Sequence, residues 1–177
     1  MRELQLKFKE IIRDVHDFPK EGIVFKDIST VLLNPELSNQ ILDHLVDTYK
    51  DKGLDKIVGI ESRGFLFGFP LAMRLGVPFV MLRKEGKLPY DKVKASYDLE
   101  YGKATIEMHT DAVLKGEKVL IHDDLLATGG SANAAARLIN SQGAEIFGFN
   151  FLIKLNFLNG EAKLNNFTDN IVSLADF

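Results

Sequence analysis

The sequence contains no cysteine in its 177 residues. That excludes a disulfide framework and any thiolate chemistry. It also lacks an excess of positive charge: 22 Lys and Arg face 25 Asp and Glu, for a formal net charge of −3. A nucleic-acid partner would call for a basic footprint, and none is present. No run approaches the roughly 20 apolar residues that a membrane span needs. The opening MRELQLKFKEII is charged and amphipathic rather than a secretory leader. There is no internal repeat and no low-complexity linker. The four histidines, His16, His44, His109 and His122, are scattered, so neither a metal centre nor a histidine triad is expected among them. What remains is 46% apolar and 27% charged, the balance of an ordinary globular chain. One cytoplasmic domain with a substantial core is expected.

The richest stretch is Lys118 to Ala132, KVLIHDDLLATGGSA. Val119-Leu120-Ile121 reads as a buried strand. Two adjacent carboxylates follow, Asp123 and Asp124, and then a loop of small residues, Ala127-Thr128-Gly129-Gly130-Ser131. Ala132 to Ile139 reads as a helix with no breaker. Glycines let backbone N–H groups come close to an anion, and a helix N-terminus adds partial positive charge. Thr128 and Ser131 add hydroxyl donors. The acidic pair would repel a phosphate, so it must face sugar hydroxyls, a metal, or both. There is no Lys beside the last hydroxyl residue, as a Walker loop requires, and no G-x-G-x-x-G. A ligand carrying ribose 5-phosphate suits the whole arrangement.

Along the chain, Leu4, Phe8, Ile11, Ile12 and Val15 predict a helix over residues 3–15. DFPKEG then predicts a turn. Ile23-Val24-Phe25 is a brief apolar piece. Asn34-Pro35 opens a second helix that stops near Gly53. Strands are predicted at 56–60, 78–82 and 145–155, and a helix at 65–75 closed by Gly76. Residues 83–102 form a polar excursion with basic residues and Tyr90, Tyr97 and Tyr101; 103–108 predict an exposed returning strand. The tail from 156 is short and mixed. Strands alternating with helices predict an α/β fold, a mostly parallel sheet covered on both faces. Such sheets bind ligands at the carboxyl ends of their strands, where Glu61–Gly64, Arg83–Lys87 and Asp123–Ser131 would converge.

The stretch at 118–132 resembles the 5-phosphoribosyl-1-pyrophosphate (PRPP) motif of the type I phosphoribosyltransferases. DFPKEGIVFKDIS (17–29), GIESRGFLFG (59–68), LRKEGKLP (82–89) and ASYDLEYG (95–102) occur in the order found in that family's adenine branch. The resemblance implies the type I fold over residues 1–177, with a base-binding hood at 1–33, a core at 34–155 and a flexible catalytic loop at 84–102. It implies a purine-salvage glycosyltransferase that joins adenine and PRPP to give AMP and diphosphate, with Mg²⁺ held mainly by PRPP and water. By the same resemblance, Asp123, Asp124 and Ala127 to Ser131 (Ala127, Thr128, Gly129, Gly130, Ser131) hold ribose and phosphate. Ser62, Arg63, Arg83, Lys84 and Lys87 are candidates for the pyrophosphate. Arg83 would reach into the partner's site of a homodimer. Glu100 is the candidate general acid/base, and Tyr97 and Tyr101 shield the sugar. Phe25 would stack on the base while backbone groups of Val24 and Lys26 read its edge. His122 stands where the family commonly has an aliphatic residue. The alternatives are an enzyme for guanine, hypoxanthine or xanthine, for which a lysine such as Lys26 would read the 6-oxo group, and a non-catalytic PRPP sensor.

Overall fold

The fold was described from a computed structural model, which covers residues 1–98 and 102–177. The chain divides into two compact units, Met1–Thr48 and Tyr49–Phe177.

In the first unit, α1 (Arg2–Ile11) leads into β1 (Arg13–His16), which pairs antiparallel with β2 (Val24–Asp27). The predicted helix over 3–15 is therefore too long. Ile12 is already extended, and Val15 lies opposite Phe25 in the ladder. A partner strand eight residues further on supplies the backbone hydrogen bonds that another helical turn would have made. The DFPKEG segment closes this hairpin, with the Gly22 amide donating to Asp17 Oδ1 at 2.8 Å. After the short α2 (Ser29–Leu32) comes α3 (Pro35–Tyr49). Asn34 caps α3: its Oδ1 accepts from the Leu37 amide at 3.0 Å.

The second unit is built on a seven-stranded sheet. Its elements are β3 (Lys56–Ile60), α4 (Gly64–Leu75), β4 (Phe79–Lys84), β5 (Lys92–Asp98), β6 (Lys103–His109), β7 (Lys118–Leu126), α5 (Gly130–Ser141), β8 (Glu145–Lys154) and β9 (Ile171–Asp176). The strand order is β5-β6-β4-β3-β7-β8-β9. Strands β4, β3, β7, β8 and β9 run parallel, while β5 and β6 are antiparallel additions at one edge. The central strands are apolar on both faces because both are covered: Ile57, Val58, Val119, Leu120, Ile121, Phe149 and Phe151 are all buried. Helix α4 packs on β3 and β7, and α5 packs on β5, β7 and β8.

Three further departures from expectation are found in this unit. Residues 92–98 form β5, an edge strand paired with β6 along its length, where an unbroken loop was expected. Strand β6 is not exposed: it lies between β5 and β4, so Ile106, Glu107 and Met108 are buried. The mixed tail conceals β9, which extends the parallel sheet beside β8. Among the described residues no helix is long and apolar enough to cross a membrane.

His122 is fully buried on β7, with its Nδ1–H donating to Asn150 Oδ1 of β8 at 2.8 Å. Its Nε2 has no partner among the described residues. Burial disfavours the imidazolium and holds the pKa down at about 4, against the pull of the Asn150 hydrogen bond. The unfolded chain binds this proton near its ordinary pKa of about 6.5, so protonation favours unfolding. Stability from this group is complete above pH 6.5 and is lost as pH falls from there toward 4. Between pH 7 and 4.5 the loss should amount to about 2 kcal/mol. Denaturant titrations at the two pH values should show His122→Gln losing less stability than wild type by that margin.

Candidate active site

Strand β7 carries Asp123 and Asp124 to the carboxyl edge of the sheet, and Ala127 to Gly129 connect it to α5. Gly129 takes a left-handed φ of 75° to make this tight entry. A Cβ at Gly129 would lie 2.5 Å from the Gly160 carbonyl oxygen, so this position has no room for a side chain. The first N–H groups of α5 have no partner within the helix and point out of its N-terminus. A cavity of about 230 Å³ opens there, lined by the loop from Ala127 to Ser131 together with Arg63, Tyr97, Asp98, Asp123 and Asp124. The predicted phosphate loop and acidic pair are thus brought together. Tyr97, expected to shield the sugar, stands in the wall, and so does Asp98, which was not singled out.

A second cavity, of about 170 Å³, is lined by Glu61, Ser62, Arg63, Lys84, Asp123 and Asp124. The two cavities share Arg63 and both aspartates as a common wall. One end therefore offers backbone amides and hydroxyls, the other offers Arg63 and Lys84, and the carboxylates lie between.

Arg63 sits at the start of α4, and its Nε donates to Asp124 Oδ2 at 2.5 Å. Asp124 is buried, and its amide donates to Asp123 Oδ1 at 2.9 Å. Gly64 makes this approach possible: a Cβ there would lie 2.8 Å from the His122 carbonyl oxygen and 3.0 Å from Asp123 Oδ1. Burial raises the pKa of Asp123 well above the usual carboxylate range, and the neighbouring Asp124 charge raises it further. Burial also raises Asp124, opposed by the Arg63 guanidinium. The repulsion between the carboxyls is thus only partly neutralised, and a sugar hydroxyl or a hydrated cation between them would relieve it.

Glu61 organises the cationic side. Its carboxylate accepts from Arg83 Nε at 3.0 Å and Nη2 at 3.3 Å, and from the Lys84 amide at 2.7 Å. The hydrogen bond from Arg83 pulls the Glu61 pKa below its ordinary value, against desolvation. Arg83 is engaged by its own chain's Glu61 and lines neither cavity, and Lys87, on an exposed turn, lines neither as well. Glu61 was not anticipated as a site residue. The available signal was a carboxylate two residues before Arg63 in a loop at a strand's carboxyl end.

The base-binding candidates belong to the first unit. Val24, Phe25 and Lys26 occupy β2; Phe25 meets the edge of Phe18 with ring centroids 5.2 Å apart, and Lys26 Nζ bonds Asp14 Oδ1 at 2.6 Å. Glu100 and Tyr101 lie outside the described residues.

The comparisons with known proteins extend across this whole arrangement. Residues 29–165 match the model of the phosphoribosyl transferase domain. An adenine phosphoribosyltransferase of Anaeromyxobacter dehalogenans (strain 2CP-C) is 51% identical over 155 residues, covering 88% of this chain and 90% of that one. The crystal structure of adenine phosphoribosyltransferase from Thermoanaerobacter pseudethanolicus superposes with a TM-score of 0.93 at 46% identity, over 98% of this chain and 99% of that one. The Saccharomyces cerevisiae enzyme, complexed with D-2,5-dideoxy-2,5-imino-altritol 1,6-bisphosphate and adenine, gives a TM-score of 0.91 at 40% identity, over 98% and 99%. Matched by that family's model over most of its length and by relatives at about half identity, the chain belongs to the phosphoribosyl transferase domain family.

Proposed function

We propose that this chain transfers the 5-phosphoribosyl group from PRPP to adenine, releasing diphosphate and forming AMP. One observation carries the reading: the amide-lined cavity and the cavity that carries Arg63 and Lys84 meet at Asp123 and Asp124. PRPP has the same order of groups, a 5-phosphate, two ribose hydroxyls and a pyrophosphate. The adenine phosphoribosyltransferases that match most of the chain support the choice of base.

In the transfer, purine N9 forms a bond to ribose C1 as the C1–O bond to pyrophosphate breaks. Positive charge develops on the sugar and negative charge on the leaving group. The loop Ala127–Ser131 holds the 5-phosphate still, which contributes by positioning. Asp123 and Asp124 accept hydrogen bonds from the ribose hydroxyls. Ser62, Arg63 and Lys84 receive the pyrophosphate and stabilise its developing charge, with Lys87, and with Arg83 reaching over from the second copy of the homodimer, completing the cationic side. Glu100 takes up the proton that the purine sheds, and Tyr97 and Tyr101 keep water from the sugar. The partly neutralised acidic pair suits a hydrated Mg²⁺, a hard ion that keeps several waters and binds substrate phosphates. When bound, Mg²⁺ neutralises charge on the pyrophosphate.

Phe25 stacks on adenine, with main-chain groups of Val24 and Lys26 reading its edge. The Lys26 ammonium is engaged by Asp14, which favours adenine over a 6-oxo purine read by that side chain. A homodimer is part of the proposal. Leu66, Phe69 and Met73 recur along one side of α4 and are exposed, an apolar stripe suited to a second copy of the chain. A cytoplasmic setting follows from the family resemblance.

Three outcomes test the reading. Glu100→Gln should lower kcat by about 10²-fold or more, the scale of a general acid–base contribution, with PRPP binding little changed. Wild-type turnover with chemistry rate-limiting would remove Glu100 from the mechanism. The double variant Asp123→Asn, Asp124→Asn should stay folded yet bind both PRPP and AMP more weakly by calorimetry; unchanged AMP affinity would show that the pair faces elsewhere. Assays with PRPP, Mg²⁺ and each purine base should give a preference for adenine over hypoxanthine in kcat/KM of about 10⁴-fold, since the wrong base leaves a buried polar group unpaired. That preference should survive Lys26→Ala; comparable use of hypoxanthine would overturn the choice of base.

A further inference from the structure

The connection between β4 and β5 carries Lys84 and Lys87, and β6 holds it at successive points. The Glu85 amide donates to the Thr105 carbonyl at 3.0 Å. Two residues further along β6, Glu107 Oε2 accepts from the Gly86 amide at 3.1 Å and from Lys92 Nζ at 3.2 Å. Lys92 Nζ also donates to the Leu88 carbonyl at 2.7 Å. After another two residues, His109 Nε2 lies 2.8 Å from the Pro89 carbonyl oxygen. The Lys87 amide closes the turn on the Lys84 carbonyl at 3.1 Å.

Glu107 is the unusual member of this set, because its side chain is only 4% exposed. A buried carboxylate is costly to desolvate, and an apolar residue of similar size would fill the space without that cost. Packing alone does not account for it. What the carboxylate does is hold Gly86 directly and Leu88 through Lys92, the two residues that bracket Lys87. On the other side of the turn, Glu61 grips the Lys84 amide. Both carboxylates thus bind the backbone of the turn. Among the described residues, the Lys84 and Lys87 ammonium groups make no ion pair.

We propose that Glu107 is a positioning residue for the pyrophosphate end of the site. From beneath the turn it fixes the backbone at Gly86 to Leu88, so that Lys84 and Lys87 are presented ready-ordered to the pyrophosphate of the substrate. The inference rests on the proposed role of those lysines and adds what holds them. It separates the two ends of the ligand, because Glu107 lines neither the phosphate cradle nor the acidic wall.

Calorimetry with pyrophosphate and with AMP, together with KM for PRPP, provides the test. Glu107→Ala should weaken pyrophosphate binding and raise KM for PRPP by about tenfold, the scale of one lost charge-assisted hydrogen bond. AMP affinity should be unaffected, and Glu107→Gln, which keeps an acceptor for Gly86, should restore most of the loss. Equal weakening of AMP and pyrophosphate, or wild-type pyrophosphate affinity, overturns the proposal. If Glu107→Ala does not fold, Lys92→Ala releases Leu88 alone and should weaken pyrophosphate but not AMP; no change there also overturns it. Lys84→Ala and Lys87→Ala separate the two levels. If both leave pyrophosphate affinity intact, the role of the lysines falls and the proposal with it. If they weaken binding while Glu107→Ala and Lys92→Ala do not, the positioning role alone is wrong.

Discussion

The ion pair between Arg63 and Asp124 fastens the loop after β3 to the carboxyl end of β7, its parallel neighbour in the sheet. Two carboxyls side by side at a strand end repel each other, and burial makes each charge more costly. Arg63 answers one of them. Asp123 is left with a raised proton affinity and a face toward both cavities. The pair also fixes the start of α4, since Gly64 follows Arg63 directly and lies against the backbone of His122 and Asp123. If that contact were loosened, the wall common to the two cavities would lose its shape.

Charge is arranged in layers around this wall. Carboxylates that would oppose an anionic ligand are mostly occupied by the protein's own cations or amides: Asp124 by Arg63, Glu61 by Arg83 and the Lys84 amide, Glu107 by Lys92 and the Gly86 amide. Lys84 lines the smaller cavity. A chain with a formal net charge of −3 can in this way offer Arg63 and Lys84 at one cavity without an overall basic surface.

The amide-lined end depends on close approach rather than on charge. Gly129 packs against Gly160, which lies in the 3₁₀ turn Gly160–Lys163 after β8. The tail that carries Gly160 goes on to add β9 to the sheet. A segment that carries no recognisable chemistry in the sequence therefore helps to shape the Ala127–Ser131 loop from behind.

Much of this was readable in the sequence because it is local. Strand, carboxylates, glycine loop and helix follow one another within 118–132, each set by neighbouring residues, and β3 and α4 fall within one residue of the predicted 56–60 and 65–75. The apolar runs of β3, β7 and β8 announced a sheet covered on both faces. What the sequence did not reveal depends on partners far away along the chain. Val15 joins β1 because Phe25 is opposite, Glu107 is buried because β5 covers its strand, and residues 171–176 become β9 because β8 offers an open edge. Arg63 and Asp124 stand 61 positions apart. The sequence by itself determined which chemical groups stand at the strand ends. Only the tertiary structure decided which of them neutralise each other and which remain to meet a ligand, because that choice depends on distances set by strand order and by where glycine permits close approach.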